Sequence, residues 1–179
     1  MRIYLDTEFY EDGRTIDLIS IALVAEDGRE FYAVSRDAEL HRVSDWVRTN
    51  VLPHLPPYGD DAWMTRVEIR EAVREFTAPS KDLIVDFRDG PVPASEKAEI
   101  WAYYADYDWV VLCQLFGTMM QLPPHLPKFC RDLKQLAVGK GDPELPAQET
   151  GEHNALADAR WNMHVHRFLE ELDGKRLSR

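Results

Sequence analysis

The chain has 179 residues, with 32 Asp and Glu against 21 Lys and Arg, for a formal charge of −11. Proteins that hold nucleic acid by neutralising phosphates carry a basic surplus, so this balance excludes general polyanion binding unless a local site reverses the sign. With 45 % hydrophobic and 30 % charged residues the sequence supports a full core, is not of disordered composition, and is expected to form one domain over residues 1–179.

The first element is a short strand over residues 2–9, RIYLDTEF, in which Ile3 and Leu5 alternate with polar neighbours before two acids arrive. Those acids interrupt the apolar stretch a secretory signal would need, and the longest nearly apolar run, residues 18–25, is well short of the roughly 20 residues of a membrane-spanning helix. Asp12-Gly13 marks a hairpin, residues 15–28 form a second strand ending at Asp27-Gly28, and residues 29–35 a third. Together they predict a three-stranded antiparallel meander. From residue 37 the period changes: Leu40, Val43, Val47 and Val51 predict a helix that stops at the proline-rich LPHLPP.

Residues 60–77 predict a second helix, opened by the capping acids Asp60 and Asp61 and carrying Met64, Val67, Val73 and Phe76. Ser80 is expected to cap a short helix through KDLIVDF, which GPVPAS ends. Residues 99–105 read as an aromatic-rich strand, with Asp106 capping a helix over residues 108–120. After a mixed segment, 128–139, and a loop, the last helix runs over residues 154–174 and is closed by Gly174. Strands, helices, another strand and more helices describe an α/β domain. Cys113 and Cys130 lack a CxxC spacing and read as reduced thiols of a cytoplasmic protein.

Three segments place acids at the ends of elements. In Asp6-Thr7-Glu8 the two carboxylates share one face of a strand, where they repel unless a cation lies between them; a solvated strand edge is the plain alternative. Asp106 and Asp108 sit at a strand-to-helix junction, where one carboxylate can reach the end of a sheet while the other caps the helix; both as caps or first-turn acids complementing the helix dipole is the plain alternative. In the third segment Asn154 caps the last helix, with His153 just outside and Asp158 one turn inside, so that imidazole and carboxylate can converge; taken alone, His153 also reads as a surface loop histidine. His164 and His166, two apart on a helix, point too far apart to share a metal and read as surface and flank.

Taken together, the three segments resemble the motifs of the DEDDh 3′–5′ exonucleases, a family with a ribonuclease H-like fold. Asp6 and Glu8 meet its D-x-E, Tyr107-Asp108 its aromatic-Asp pair, and His153 to Asp158 its H-x4-D. The look is that of RNase T-like exoribonucleases of actinobacteria. Two departures stand out: Tyr104 occupies a position where the family usually has asparagine, and residues 37–98 are longer and richer in proline than compact members need.

The resemblance implies a mixed sheet, three antiparallel strands plus a parallel one, flanked by helices. It further implies release of nucleoside 5′-monophosphates from RNA 3′ ends or overhangs. Cleavage of DNA 3′ ends, or a non-catalytic binding module on the same fold, are the alternatives. Asp6, Glu8, Asp108 and Asp158 would hold two Mg2+ ions, or Mn2+, with Asp106 the alternative to Asp108, and His153 would be the general base. Phe9, Tyr10 and Tyr107 are candidates for stacking on terminal bases, Trp109 reads as core, and Lys128, Arg131 and Lys134 as a solvated face. Partners implied are RNA 3′ ends, single-stranded DNA as a second substrate, no membrane, and a second copy of the chain in a homodimer.

Overall fold

Strand β1 (Arg2–Glu11) turns into β2 (Ile16–Ala25) at Asp12, whose Oδ1 accepts from the N–H groups of Arg14 and Thr15 while Gly13 takes φ +80°. A second turn at Gly28 leads into β3 (Glu30–Ser35), and the three strands pair antiparallel, as the alternation of the sequence predicts. The computed structural model describes residues 1–79, 97–148 and 150–177; the expected cap at Ser80, the KDLIVDF helix and the GPVPAS break lie outside them.

The predicted strand near residue 100 is present as β5 (Glu99–Ala102) and pairs parallel with β1. Two further strands, β4 (Trp63–Met64) and β6 (Arg131–Asp132), extend the sheet to the order β4-β3-β2-β1-β5-β6. Each has only two residues, too few to carry a period. On one face lie α2 (Arg66–Thr77) and α3 (Asp106–Leu115), over Ile3, Leu5, Ile21, Leu23 and Ile100. Across the other lies α5 (Ala155–Leu177), with α1 (Asp45–Asn50) beside it and α4 (Leu133–Gly139) packed on its flank. Ala155 and Ala159 are fully buried against Tyr4, Ala22 and Val24, and their small side chains let α5 lie close to the middle of the sheet.

Several boundaries differ from expectation for local reasons. The helix predicted from residue 37 begins only at Asp45, because residues before it are held in turns and Ser44 Oγ caps by accepting from the Val47 N–H. Leu40 and Val43 nevertheless pack with Val47, Val51 and Ile19, so their spacing reflects a shared cluster rather than one helix. Likewise α2 starts at Arg66 under a reciprocal Thr65–Glu68 capping box, whereas Asp60 shapes the turn before β4. Asp106 is not a cap: Ala105 holds that position without a side-chain bond, and Asp106 is the exposed first residue of α3. Gly174 does not close α5, which continues to Leu177. Among the described residues no helix is long and apolar enough to cross a membrane.

Candidate active site

The ladder between β1 and β5 ends at Tyr4↔Trp101, so β1 runs on alone along that edge. A gap at the carboxyl end of a parallel pair is where α/β sheets place their sites. The even residues Tyr4, Asp6 and Glu8 face α5, while Ile3, Leu5 and Thr7 face α3. Beside Glu8 the β1–β2 register shifts, with Glu8 opposite Ser20 and Phe9 opposite Leu18; Ile19 is the extra residue of a bulge. The bulge turns Ile19 onto Val43, Val47 and Val51, which seats α1 next to the end of β1.

Four acids from three elements meet in this gap. Carboxylate oxygens of Asp6, Glu8 and Asp158 lie within 4.8 Å of one another. Asp108, 6 % exposed, comes from the first turn of α3, and its Oδ1 accepts from the Thr7 N–H at 2.8 Å and the Thr7 hydroxyl at 2.6 Å. The residue between the two acids of the first motif therefore fixes the acid of the second. Asp158 stands one turn into α5, whose start is capped by Asn154 Oδ1 accepting from the Ala157 N–H, and the Gln148 amide donates to its Oδ1 at 2.6 Å.

Burial and crowding keep these acids from ionising together. Burial first, then the charges of Asp108, Asp158 and Glu8, push Asp6 well above the usual carboxylate range. Burial with Asp158 and Asp108 pushes Glu8 up to about 8. Burial raises Asp108 to about 7 against the restraining bonds from Thr7, and raises Asp158 against the Gln148 bond and the nearby His153. Hard oxygen donors held at this spacing and unable to share negative charge suit divalent cations.

A stability test follows from the signs. A carboxyl whose folded pKa lies above its unfolded value contributes stability at low pH that is lost as pH rises through the folded pKa. The metal-free protein is therefore expected to lose stability from pH 6.5 to 8.5, at about 1.4 kcal/mol per pH unit for each carboxyl protonated only when folded. Buried His125, lowered to about 4, is neutral in both states over most of that window and adds little slope. Melting temperatures in EDTA across these pH values, repeated with saturating Mg2+, check this; a flat EDTA series removes the crowding argument.

His153 sits at the rim, with φ +65° and its ring 4.8 Å from that of half-exposed Trp46 in a T-shaped contact. The Asn154 amide donates to the His54 carbonyl, tying this loop to the segment after α1. Phe9 stacks on Tyr107 with centroids 5.5 Å apart and the rings 6° from parallel, leaving Tyr107 half exposed beside the cluster. Tyr10 packs with the α1 cluster, and Trp109 packs against the main core as predicted. Lys128 bonds the Met119 carbonyl, while Arg131 and Lys134 pair with Glu99 and Asp142.

The sequence therefore brings its predicted Asp6, Glu8, Asp108 and Asp158 together with His153 at their edge, and leaves Asp106 exposed on α3. His166 corrects the expectation of helix surface: it is 3 % exposed, its Nδ1 3.0 Å from the Tyr4 hydroxyl and its ring 4.0 Å from Trp101. Its side of α5 is the side that Ala155 and Ala159 dock. His164 is exposed. Thr7, Gln148 and Trp46 were not legible as site residues; only the alternate facing of Thr7 between two acids hinted at a partner on the α3 side.

Residues 1–169 match the family model described as the 3′–5′ exoribonuclease Rv2179c-like domain. The 3′–5′ exoribonuclease Rv2179c of Mycobacterium tuberculosis strain H37Rv is 43 % identical over 173 residues, 97 % of this chain and 95 % of the relative. The 3′–5′ exoribonuclease MT2234.1 of strain CDC 1551 aligns with the same figures. Among solved structures, the nuclease domain of 3′hExo, described as a DEDDh family member bound to rAMP, superposes with a TM-score of 0.55 at 14 % identity. That match covers 95 % of this chain and 92 % of the other, and the likeness is one of fold.

Proposed function

Since the chain belongs to the Rv2179c-like 3′–5′ exoribonuclease family, we propose that it removes nucleoside 5′-monophosphates one at a time from RNA 3′ ends, single-stranded or overhanging. Its sheet and flanking helices form the ribonuclease H-like fold of the DEDDh nucleases. The observation that carries the reading is the convergence of Asp6, Glu8, Asp108 and Asp158, from three separated motifs, in the gap beside β5.

These residues fit divalent cations because all are hard oxygen donors, buried or half-buried, and crowded enough to resist ionising together without added positive charge. Asp6, Glu8, Asp108 and Asp158 would hold them, and the expected ions are two Mg2+, with Mn2+ a substitute. When bound, they supply charge to neutralise the phosphate and acidity to activate water. Asp6 lies central to the set, feeling the other three acids. Thr7 holds Asp108 and Gln148 holds Asp158, so neither carboxylate needs to reorient as substrate enters. His153, outside the α5 N-terminus, accepts the proton of the attacking water as general base. The half-exposed Tyr107, backed by Phe9, offers a face on which a terminal base can stack, with Tyr10 farther along the same strand.

A single exonuclease domain acting as a cytoplasmic homodimer completes the proposal; the sequence resemblance supports the dimer, and the free thiols of Cys113 and Cys130 agree with a reducing compartment. The test is incubation of purified protein with 3′-labelled RNA and DNA, single-stranded and overhanging, in Mg2+ and in EDTA. Monophosphate release from RNA in Mg2+ alone is the expected outcome. Preferred release from DNA would transfer the activity to DNA ends, and no release from any substrate would leave a binding module.

A further inference from the structure

Past the end of the β1–β5 ladder, the main-chain groups on that edge of β1 still need partners. They belong to odd residues, as the Met1 carbonyl accepting from the Glu99 N–H shows. Buried main-chain polar groups are almost always paired, so side chains must take the place of the missing strand. Thr7 N–H finds Asp108 on α3. The Leu5 carbonyl finds Asn162 on α5, whose Nδ2 donates to it at 3.0 Å; Asn162 is 1 % exposed.

The two ends of this bond are neighbours of the acids. Leu5 precedes Asp6 on β1, and Asn162 lies four residues, about one turn, beyond Asp158 on α5. The rest of this stretch of α5 meets the sheet through Ala155, Ala159 and other apolar contacts, which have no preferred direction, and through the Arg160–Glu30 and Arg2–Glu170 ion pairs, whose long solvent-facing side chains can follow a slide along the helix axis. A slide of a single residue is about 1.5 Å, a large fraction of the spacing among the carboxylates. His166 and Tyr4 meet one turn farther on, but both are side chains that can swing, whereas the Leu5 carbonyl is fixed by the strand.

We propose that Asn162 is a positioning residue: by bonding the Leu5 carbonyl it sets the axial register of α5 on β1, and with it the distance from Asp158 to Asp6 and Glu8. The proposal rests on these carboxylates being the cation site. It is tested with Asn162→Leu, which keeps the branched shape but is somewhat larger and has no donor, and Asn162→Ala, with Asp158→Ala alongside. Mn2+ affinity is read by electron paramagnetic resonance, hydrolysis of 3′-labelled single-stranded RNA gives kcat and KM, and circular dichroism reports folding.

Both Asn162 variants are expected to fold, to bind Mn2+ about 10-fold more weakly or worse, and to lose kcat by a similar factor while KM for RNA stays within about twofold. A purely structural role would lower the melting temperature and leave Mn2+ affinity and kcat of the folded protein unchanged; that result overturns the proposal, as does failure of both variants to fold. If Asp158→Ala also keeps wild-type Mn2+ affinity and rate, the cation-site reading falls with it. If Asp158→Ala loses both while the Asn162 variants do not, only the positioning role falls.

Discussion

Replacing Asp6 with asparagine is expected to reduce RNA hydrolysis by about 1,000-fold or more while making the metal-free protein more stable at pH 8. The two effects have one cause. Asp6 is the most crowded acid of the cluster, raised by burial and by three neighbouring carboxylates, so its charge costs the fold when no cation is present. Asparagine keeps the shape and removes that charge, while Glu8 and Asp108, raised first by burial and then by Asp158, keep their own shifts. The sign follows from linkage: a group with a raised folded pKa penalises the folded state above that pKa, and deleting it removes the penalty. Rates in Mg2+ and melting temperatures in EDTA, both at pH 8, check the pair. Wild-type turnover by Asp6→Asn would end the assignment, and a lower melting temperature would show that the acid is satisfied in some other way.

His153→Ala is expected to slow hydrolysis of 3′-labelled RNA in Mg2+ by roughly 100-fold, the scale of a lost general base. The backbone adds a control. His153 has φ +65°, a conformation that asparagine adopts more readily than alanine, so alanine alone confounds proton transfer with strain in the loop. His153→Asn relieves the strain but takes up no proton near neutral pH. Equal losses in the two variants assign the effect to the imidazole, whereas near-normal rates in His153→Asn would show that the loop conformation is what matters.

The first three strands were legible because alternation and Asp-Gly turns fix them locally, and the acids of the D-x-E and H-x4-D motifs because strand and helix periodicity already sets which way they point. Choosing Asp108 over Asp106 required more: the backbone passes through φ +55° at Tyr104 before α3 begins, which makes Asp106 the first helical residue and brings Asp108 to Thr7. Nothing in WAYYADYD announces that turn. The buried side of α5 was equally hidden, because His166 and Asn162 are polar, and only the close docking of Ala155 and Ala159 on β1 makes theirs the inner face. Strands β4 and β6 exist through pairing with β3 and β5, a tertiary event that two residues cannot signal. The length and proline content of residues 37–98 have part of their answer in α1, which carries Trp46 to His153.

The tie between Leu5 and Asn162 joins residues 157 positions apart, and that between Thr7 and Asp108 spans 101. Contacts of such range bear the largest loop-closure entropy and close after local hairpins and helices have formed. During synthesis β1 is made long before α5, so the growing chain carries Asp6 and Glu8 well before Asp158 and His153 exist to complete the constellation. With these residues as the proposed site, hydrolytic competence is expected to arrive with the docking of α5 rather than to accumulate along the way.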